Sequence, residues 1–492
     1  MRSPGRLVVV SNRVPTTAFP TSDEERRAQP VGGLVNAVRA ALESHHGMWF
    51  GWSGTTTERR TSSAPDISEI GPIKLVTVDL SADEVNLFYT VFANRSLWPT
   101  LHSFPSMVTV RHDAYRAYQR VNRRFAEALL PMLEEGDLVW VHDYHLISFG
   151  RELRRLGWTG KIGFFLHTPF PSTEIFGVLP AADELLSGFE AYDLVGLHTA
   201  RYMQNLLDAL STELDGEVKG SFFTGSERST KVGVFPIGTD PANFEQWARE
   251  AEQEQADTFI QRLLSRRSPS PRQPKIILGV DRLDYTKGIP QRLLTFEQLL
   301  ESHPSLRGTV TLVQISAPSR TRVPEYIRER ERVDQLVGRI NGRFSEADWA
   351  PVHYLYRSYT QPELAGFYRE ADVCLVTPLR DGMNLVAMEF VASQGPDPGV
   401  LILSRFCGAS ETMPDAVTVN PYDSEGTAEA LYGALMMDGT ERKRRWESLM
   451  SGVRSRTAIS WSEGFLDELS ATTSIESVHP ALTEVAGGAA ST

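Results

Sequence analysis

The stretch LVTPLRDGMNLVAMEF, Leu375–Phe390, contains the two kinds of element that decide the fold. It begins with a short apolar run, typical of a strand buried in a parallel sheet, and it ends with an apolar helical run. Arg380 and Asp381 lie between the two, and one carboxylate, Glu389, lies inside the helical run. Because ligands of doubly wound α/β sheets bind at the carboxyl ends of the strands, these charges predict a functional site there.

The same alternation of strand and helix recurs along the chain in two series. The strand-like runs are RLVVVS, MWFGWS, LVWVH, IGFFLH, LVGLHT and VGVFPIG in the first series, and KIILGV, VTLVQIS, VHYLYR, VCLVTP, VLILS and AVTVN in the second. Amphipathic helical patterns separate most of them, and the Pro/Ser-rich stretch at Ser268–Pro274 separates the two series. We therefore predict an α/β protein with two doubly wound, Rossmann-like domains that face a central cleft.

Composition excludes several classes of function. A net charge of −12 over 492 residues argues against nucleic-acid binding, which requires a basic footprint. No run of 18 apolar residues occurs, so we expect no membrane span. The first apolar run ends at Ser11, too early for a signal peptide, and the two cysteines do not suggest a disulfide framework. These features predict a cytoplasmic protein.

Histidines and an aspartate follow two neighbouring strands of the first series. His142, Asp143 and His145 come after LVWVH, and His167 comes after IGFFLH. Such a group suggests a metal site, but His142 and His145 fall in a strand-to-helix turn, where their spacing loses its usual meaning. We expect those two to be core-edge or capping residues, and Asp143 and His167 to face the cleft.

Two cations follow the first strand of the second series. Arg282 and Lys287 lie in a turn that contains Gly288, which makes a plausible clamp for a diphosphate. The alternative is that Arg282 forms a surface ion pair with Asp281 or Asp284.

Phosphate recognition is also suggested after two other strands. Arg13 follows the first strand of the chain, and Arg320 follows VTLVQIS. Gly32 and Gly33 open a helix, where free backbone amides favour an anion. The alternative for this segment is a tight turn with a solvated Arg13.

The carboxylates of the opening stretch allow two interpretations each. A buried Glu389 needs a partner, which is either an internal arginine or a pair of ribose hydroxyls of a bound nucleotide. Asp381 is either a helix cap or an acceptor for a sugar hydroxyl.

The order of these motifs is specific. The matching stretches are VVVSNRVP, GGL, WFGWSG, NRSLWPTLH, VWVHDYHL, IGFFLHTPFPSTEIF, VFPIGTDP, VDRLDYTKGIPQRL, INGRF, VTPLRDGMNLVAMEF and VNPYD. With them, the chain resembles the trehalose-6-phosphate synthases of glycosyltransferase family 20, which are retaining enzymes with the GT-B fold. The resemblance runs from about residue 7 to about residue 425.

The resemblance implies a role for each candidate residue. The acceptor side comprises the phosphate pocket of Arg13, Tyr89, Trp98 and Arg320, and Asp143, which holds acceptor hydroxyls. The donor side comprises Gly33 beside the phosphates, the clamp of Arg282 and Lys287, His167 and Asp381 on the glucose, the backbone of Gly382, Met383, Asn384, Leu385 and Val386, and Glu389 on the ribose. Within these sets, Asp143, His167, Arg282, Lys287 and Asp381 are the expected catalytic residues.

The resemblance also implies the reaction and the domains. Glucose would move from UDP-glucose or GDP-glucose to glucose 6-phosphate, forming α,α-trehalose 6-phosphate without a cofactor or a metal, in a homo-oligomer (dimer or tetramer). Residues 1–245 would bind the acceptor, completed by helices at about 460–480, residues 246–459 would bind the nucleotide sugar, and residues 480–492 would form a flexible tail.

Three alternatives stay open from the sequence. A related enzyme would use another acceptor, such as glycerol 3-phosphate, and a pseudo-glycosyltransferase would couple cyclitols. A non-catalytic regulator would only bind sugar phosphates.

Overall fold

The computed structural model describes residues 5–15, 33–58, 64–225, 228–253 and 275–472. Most of the loop between Arg13 and Gly32, the Pro/Ser-rich stretch at Ser268–Pro274 and the tail at 480–492 lie outside the described residues.

The first sheet has ten strands among the described residues, in the spatial order β3-β4-β2-β1-β5-β6-β7-β10-β9-β8. Their bounds are Leu7–Arg13 (β1), Met48–Thr57 (β2), Asp66–Ile70 (β3), Ile73–Ser81 (β4), Leu138–His142 (β5), Ile162–Phe165 (β6), Leu194–Leu197 (β7), Glu217–Lys219 (β8), Phe222–Thr224 (β9) and Ser229–Val234 (β10). Seven neighbouring strands are parallel to one another, namely β4, β2, β1, β5, β6, β7 and β10. Antiparallel strands flank them, β3 beside β4 at one edge and β9 and β8 beyond β10 at the other. Every residue of β6 and β7 is buried, as expected for strands covered on both faces.

The second sheet has six parallel strands, in the order β13-β12-β11-β14-β15-β16. Their bounds are Lys275–Arg282 (β11), Val310–Ala317 (β12), Val352–Leu355 (β13), Val373–Val376 (β14), Val400–Ser404 (β15) and Val417–Val419 (β16).

Helices cover both sheets. The α-helices are Gly33–Ser44, Ala82–Glu84, Trp98–Leu101, His112–Leu129, Phe149–Arg155, Thr173–Phe176, Ala182–Ser187, Ala200–Glu213, Pro241–Gln253, Ile289–Ser302, Pro324–Phe344, Gln361–Arg369, Val386–Ser393, Ala409–Thr412, Ser424–Met436, Gly439–Ser455 and Ala458–Ala471. A π-helix runs over Val85–Leu97, and short 3₁₀ turns lie at Pro105–Met107, Leu130–Met132, Tyr144–Leu146, Phe189–Ala191, Tyr285–Lys287 and Pro304–Leu306. None of the described helices has both the length and the apolar character that crossing a bilayer requires.

All twelve predicted strands are present, and the predicted α/β fold with two parallel-rich sheets is confirmed. The prediction lacked four strands of the first sheet, β3, β4, β8 and β9. Three of them, β3, β8 and β9, lie outside the parallel part of the sheet and are short; β3 and β8 expose most of their residues, and β9 has only three residues, so none carries a long apolar run.

The last described helix returns to the first sheet. Trp461 and Phe465 of the helix Ala458–Ala471 pack on Trp140 of β5, with ring centroids 5.0 and 4.8 Å apart. A bridge between Thr239 and Thr457 lies where the chain crosses back. The final helix therefore covers the sheet that contains the first strand of the chain.

Candidate active site

Loops at the carboxyl ends of the two sheets touch each other directly. The Tyr202 hydroxyl donates to the backbone carbonyl of Asp381 at 2.8 Å. The Arg320 guanidinium donates to the hydroxyl of Tyr144, which follows β5, at 3.1 Å. These contacts collect the polar strand ends of both sheets in one place, as the sequence predicted for a cleft.

His142 and His167 form a neutral pair at the ends of β5 and β6. Their rings stack with centroids 5.3 Å apart, and Nδ1 of His142 lies 3.0 Å from Nε2 of His167. Burial lowers the pKa of His142 to about 3 and the pKa of His167 well below its ordinary value, so both are uncharged near neutral pH. His145 is buried nearby. Within the described residues, no group of three or more His, Cys, Asp or Glu is arranged to hold a metal ion.

Asp143 has a strained backbone that follows directly on this pair. Its φ is 74°, in a region that side chains other than glycine rarely adopt and that is enriched at functional sites. Burial raises the pKa of Asp143 to about 6, although amides of Tyr144 and His167 and the positive charges of Arg320 and Arg282 oppose that rise. The Asp143 carboxyl therefore changes between its protonated and ionised forms near pH 6.

Arg320 is the centre of a buried network. Its guanidinium donates to Asp284 Oδ2 at 3.0 Å and to the hydroxyls of Tyr144 and Tyr326. Its Cζ lies 3.9 Å from the centroid of the Trp98 ring. Arg320 also has a positive φ, 44°. The predicted phosphate-binding arginine is thus fixed by protein contacts on several sides before any ligand arrives.

Arg13 and Tyr89 meet through Trp52. The Cζ of Arg13 lies 5.9 Å from the Trp52 ring, and the Tyr89 ring lies 6.0 Å from it. Tyr89 stacks on His145 at 5.8 Å, and Tyr144 lies 4.0 Å from His145 and 5.6 Å from Trp98. The four predicted residues of the phosphate pocket are therefore linked by a continuous chain of aromatic contacts.

Arg282 remains exposed beside this group. Its Cζ lies 6.0 Å from the Trp98 ring. Asp281 pairs with Arg292 at 2.5 Å, and Asp284 pairs with Arg320. The alternative of a surface pair between Arg282 and either carboxylate therefore does not hold among the described residues.

Lys287 and Asp381 form an ion pair at 2.5 Å. Burial alone would raise the pKa of Asp381, but the charge and the hydrogen bond of Lys287, together with more distant positive charge, outweigh burial and hold that pKa below its ordinary value. Asp381 also accepts from the Gly382 amide and from Asn384 Nδ2, both at 3.0 Å. The helix begins only at Val386, so Asp381 orders the preceding loop and is not a helix cap.

The loop Gly382–Leu385 packs tightly against the first sheet. A Cβ placed on Gly382 would lie 1.9 Å from the carbonyl oxygen of His167, so no other residue fits there without movement. Asn384 has a φ of 73°, and Met383 is buried. The backbone after Asp381 therefore touches the strand end that carries His167.

Glu389 lies buried in the helix Val386–Ser393 and has a neutral partner. The Tyr368 hydroxyl donates to its Oε2 at 3.1 Å, and no arginine or lysine of the described chain pairs with it. Burial raises the pKa of Glu389 to about 7, and the Tyr368 hydrogen bond opposes that rise. The internal arginine pair considered above is absent from the described residues, but a protein side chain does satisfy one oxygen.

Gly33 is the first residue of the helix Gly33–Ser44, which follows β1. Its backbone amide is therefore among the free donors of a helix N-terminus. Gly32 lies outside the described residues.

Sequence reasoning missed several residues that build this site. They are Trp52, Tyr144, Tyr326 and Tyr368, which hold predicted residues through rings or hydroxyls, and Asp284, which appeared only as a surface partner of Arg282. Tyr144 and Asp284 lie inside motifs already identified, so their positions were a usable signal. Tyr368 lies on the helix Gln361–Arg369, which carries no such signal.

Comparisons with known proteins match nearly the whole chain. The family description "Glycosyltransferase family 20" fits residues 5–471. A trehalose-6-phosphate synthase of Sinorhizobium fredii is 40% identical over 469 residues, which are 95% of this chain and 98% of that protein.

Two solved structures are similar along their full length. An α,α-trehalose-phosphate synthase (UDP-forming) from Burkholderia xenovorans, in complex with glucose-6-phosphate, is 38% identical with a TM-score of 0.87, covering 95% of this chain and 100% of that one. A structure from E. coli, bound with UDP-2-fluoro glucose, is 36% identical with a TM-score of 0.86, covering 96% of this chain and 100% of that one. The chain therefore belongs to glycosyltransferase family 20.

Proposed function

We propose that this protein transfers glucose from UDP-glucose to glucose 6-phosphate with retention of configuration, forming α,α-trehalose 6-phosphate. The observation that carries the proposal is that two sets of residues, each with a cation and a carboxylate, meet at one cleft. Arg320, Trp98 and Asp143 lie on one side, and Arg282, Lys287 and Asp381 lie on the other. This arrangement suits two anionic substrates that react head to head.

The acceptor side fits a sugar phosphate. Arg13 and Arg320 supply positive charge, and the aromatic surfaces of Tyr89 and Trp98 pack between them. Arginine is well suited to phosphate because its planar fork donates two parallel hydrogen bonds. Asp143, at the adjacent strand end, would accept hydrogen bonds from the sugar hydroxyls.

The donor side fits a nucleotide sugar. Arg282 and Lys287 would bind the diphosphate, assisted by the backbone near Gly33. His167 and Asp381 would contact the glucose hydroxyls, together with the backbone of Gly382, Met383, Asn384, Leu385 and Val386. Glu389 would accept hydrogen bonds from the ribose.

The reaction needs orientation and charge stabilisation from the protein. The bond between the donor C1 and the β-phosphate oxygen breaks, and the anomeric oxygen of the acceptor bonds to C1 on the same face. The acceptor proton passes to the departing phosphate oxygen. Arg282 and Lys287 stabilise the negative charge that develops on the diphosphate, and the cleft holds the acceptor oxygen on the same face of the donor glucose as the departing phosphate.

Product analysis tests the proposal. Purified protein is incubated with glucose 6-phosphate and either UDP-glucose or GDP-glucose, and NMR identifies the linkage of the disaccharide phosphate. We expect an α,α-1,1 linkage and faster turnover with UDP-glucose. Product from glycerol 3-phosphate but none from glucose 6-phosphate would show that glycerol 3-phosphate is the acceptor. Binding of the substrates without turnover would favour a non-catalytic regulator.

Two further properties belong to the proposal. A cytoplasmic location is supported by Cys374 and Cys407, which are buried free thiols. A homo-oligomer follows from the family resemblance alone, and light scattering coupled to size-exclusion chromatography measures it.

A further inference from the structure

Tyr368 lies behind the carboxylate that the proposed function assigns to the ribose. It is 0% exposed, near the end of the helix Gln361–Arg369, and its hydroxyl donates to Glu389 Oε2 at 3.1 Å. No described residue hydrogen-bonds to the other oxygen, Oε1, which is also not sealed inside the protein. One oxygen of the carboxylate is thus satisfied by protein, and the other has no hydrogen-bond partner among the described residues, in a side chain that is 7% exposed.

The backbone and the ring of Tyr368 are held in place by neighbouring residues. The side-chain amide of Gln394, which follows the helix carrying Glu389, donates to the Tyr368 carbonyl and accepts from the Gly399 amide. The rings of Phe244 and Phe390 flank Tyr368 at 6.4 and 6.5 Å. The two helices are therefore tied together at both the backbone and the side chain of Tyr368.

We propose that Tyr368 is a positioning residue that orients Glu389 and keeps it an acceptor, and so sets the selectivity of the donor site for a nucleotide with ribose hydroxyls. This inference rests on the proposed function, because it deepens the role given there to Glu389. Tyr368 acts through Glu389 and does not itself contact the substrate.

Physical chemistry explains why a neutral donor suits this position. An arginine at the same place would bind both carboxylate oxygens in its planar fork and leave none for a ligand. A hydroxyl donates only one hydrogen bond, so it fixes the rotamer of Glu389 and leaves Oε1 free. The groups near the carboxylate are the Tyr368 phenol and the Cys374 thiol, with Asp281 and Arg292 behind them.

The test compares ligands with and without the ribose hydroxyls. Calorimetry measures binding of UDP and of 2′,3′-dideoxy-UDP to the wild-type protein and to Tyr368→Phe, which lacks only the hydroxyl. We expect UDP to bind roughly tenfold more weakly to the variant, because a hydrogen bond to a charged group is lost, while dideoxy-UDP changes little. The preference for UDP over dideoxy-UDP then falls by about the same factor.

A matched control separates this effect from general loosening of the core. Tyr192 is equally buried, and its hydroxyl bonds to backbone groups of Gly150 and Leu146 at 3.0 and 2.8 Å. Tyr192→Phe also loses a buried hydroxyl, and it should keep the wild-type preference. Equal weakening of both ligands in Tyr368→Phe, or no weakening of either, would overturn the proposal.

The pH dependence gives a second readout that does not rely on Tyr368→Phe folding well. In the wild-type protein, the preference for UDP should rise with pH through a midpoint near 7 as Glu389 ionises. Fluorotyrosine at position 368 is a stronger donor of nearly the same size, and it should lower that midpoint. An unchanged midpoint would contradict the proposal.

Measurements of turnover distinguish a wrong proposed function from a wrong role for Tyr368. If the wild-type protein makes no product from UDP-glucose, the proposed function is wrong. If it does, and Tyr368→Phe has an unchanged KM for UDP-glucose, only the role of Tyr368 is wrong.

Discussion

Arg320 and Arg282 both lie near the ring of Trp98, but the protein holds them in different ways. Arg320 lies 3.9 Å from the ring and donates to Asp284, Tyr144 and Tyr326. Arg282 lies 6.0 Å from the ring, is exposed, and has no ion pair among the described residues. On the proposed acceptor side, Arg320 is therefore held by protein contacts, whereas on the proposed donor side Arg282 has no ion pair among the described residues and is open to a ligand.

Replacing Arg320 should have the largest effect. Arg320→Ala leaves the carboxylate of Asp284, which is 0% exposed, without its charge partner, so we expect a loss of about 3–5 kcal/mol in the free energy of unfolding as well as loss of turnover. Urea unfolding followed by circular dichroism measures the first, and an assay of UDP release measures the second. Arg320→Lys keeps the positive charge but loses the planar guanidinium, so its stability and turnover should lie between those of Arg320→Ala and the wild-type protein. A loss of stability below about 1 kcal/mol would show that the protein does not hold Arg320 more firmly than Arg282.

Replacing Arg282 should separate activity from stability. In the proposed reaction Arg282 stabilises the leaving diphosphate, so Arg282→Ala should lower kcat by roughly 100-fold or more, and it breaks no ion pair of the described residues. Its free energy of unfolding should stay within about 0.5 kcal/mol of wild type. Lys287→Ala should lose a similar amount of turnover, and it should also lower stability because Asp381 loses its ion-pair partner. The exposed Arg328, on the helix Pro324–Phe344, provides a control in Arg328→Ala. Near-normal turnover of Arg282→Ala would exclude it from the clamp.

A smaller effect on stability is expected at Gly382, where the loop after β14 contacts His167 of the first sheet. Gly382→Ala places a methyl group against the His167 carbonyl, and should cost about 1–3 kcal/mol of stability and raise the KM for UDP-glucose. Gly433 lies in the helix Ser424–Met436, with no atom near its added Cβ, so Gly433→Ala should stabilise by about 0.5–1 kcal/mol. Thermal denaturation of the two variants compares them directly, and equal shifts would show that the contact with His167 is not tight.

The smallest expected effect is the titration of Asp143. Its pKa is raised from 3.8 to about 6, so the folded state holds a proton that the unfolded state releases, and the contribution to stability falls as pH rises from about 4 to about 6. Asp143→Asn does not titrate, so it should gain about 1–2 kcal/mol over wild type across that window. Its kcat/KM for glucose 6-phosphate should lose the rise with pH that ionised Asp143 produces. Parallel stability curves for the two proteins would contradict this.

Much of the fold could be predicted because buried parallel strands produce continuous apolar runs. Strand β3, DISEI, is mostly exposed and gave no such run. The π-helix Val85–Leu97 carries Tyr89, and nothing in its composition distinguished it from an α-helix.

The site was harder to predict, since its contacts join residues far apart in sequence. The motifs placed Lys287 and Asp381 on the donor side, but their ion pair spans 94 positions. The partner of Glu389 depended on how two helices pack, and that is decided by Phe244, Phe390 and Gln394 rather than by any local pattern.

The return of the helix Ala458–Ala471 to the first sheet makes the second sheet an insertion within the first unit of structure. The chain passes between the two units twice, and the two passing segments pair with each other at Thr239 and Thr457, before the helix Pro241–Gln253 packs against the second unit. Because the two segments are bonded to each other there, any change in the angle between the units would have to bend both segments together. A fragment ending near Gln253 would also lack Trp461 and Phe465, and would lose the two rings of the final helix that pack on Trp140.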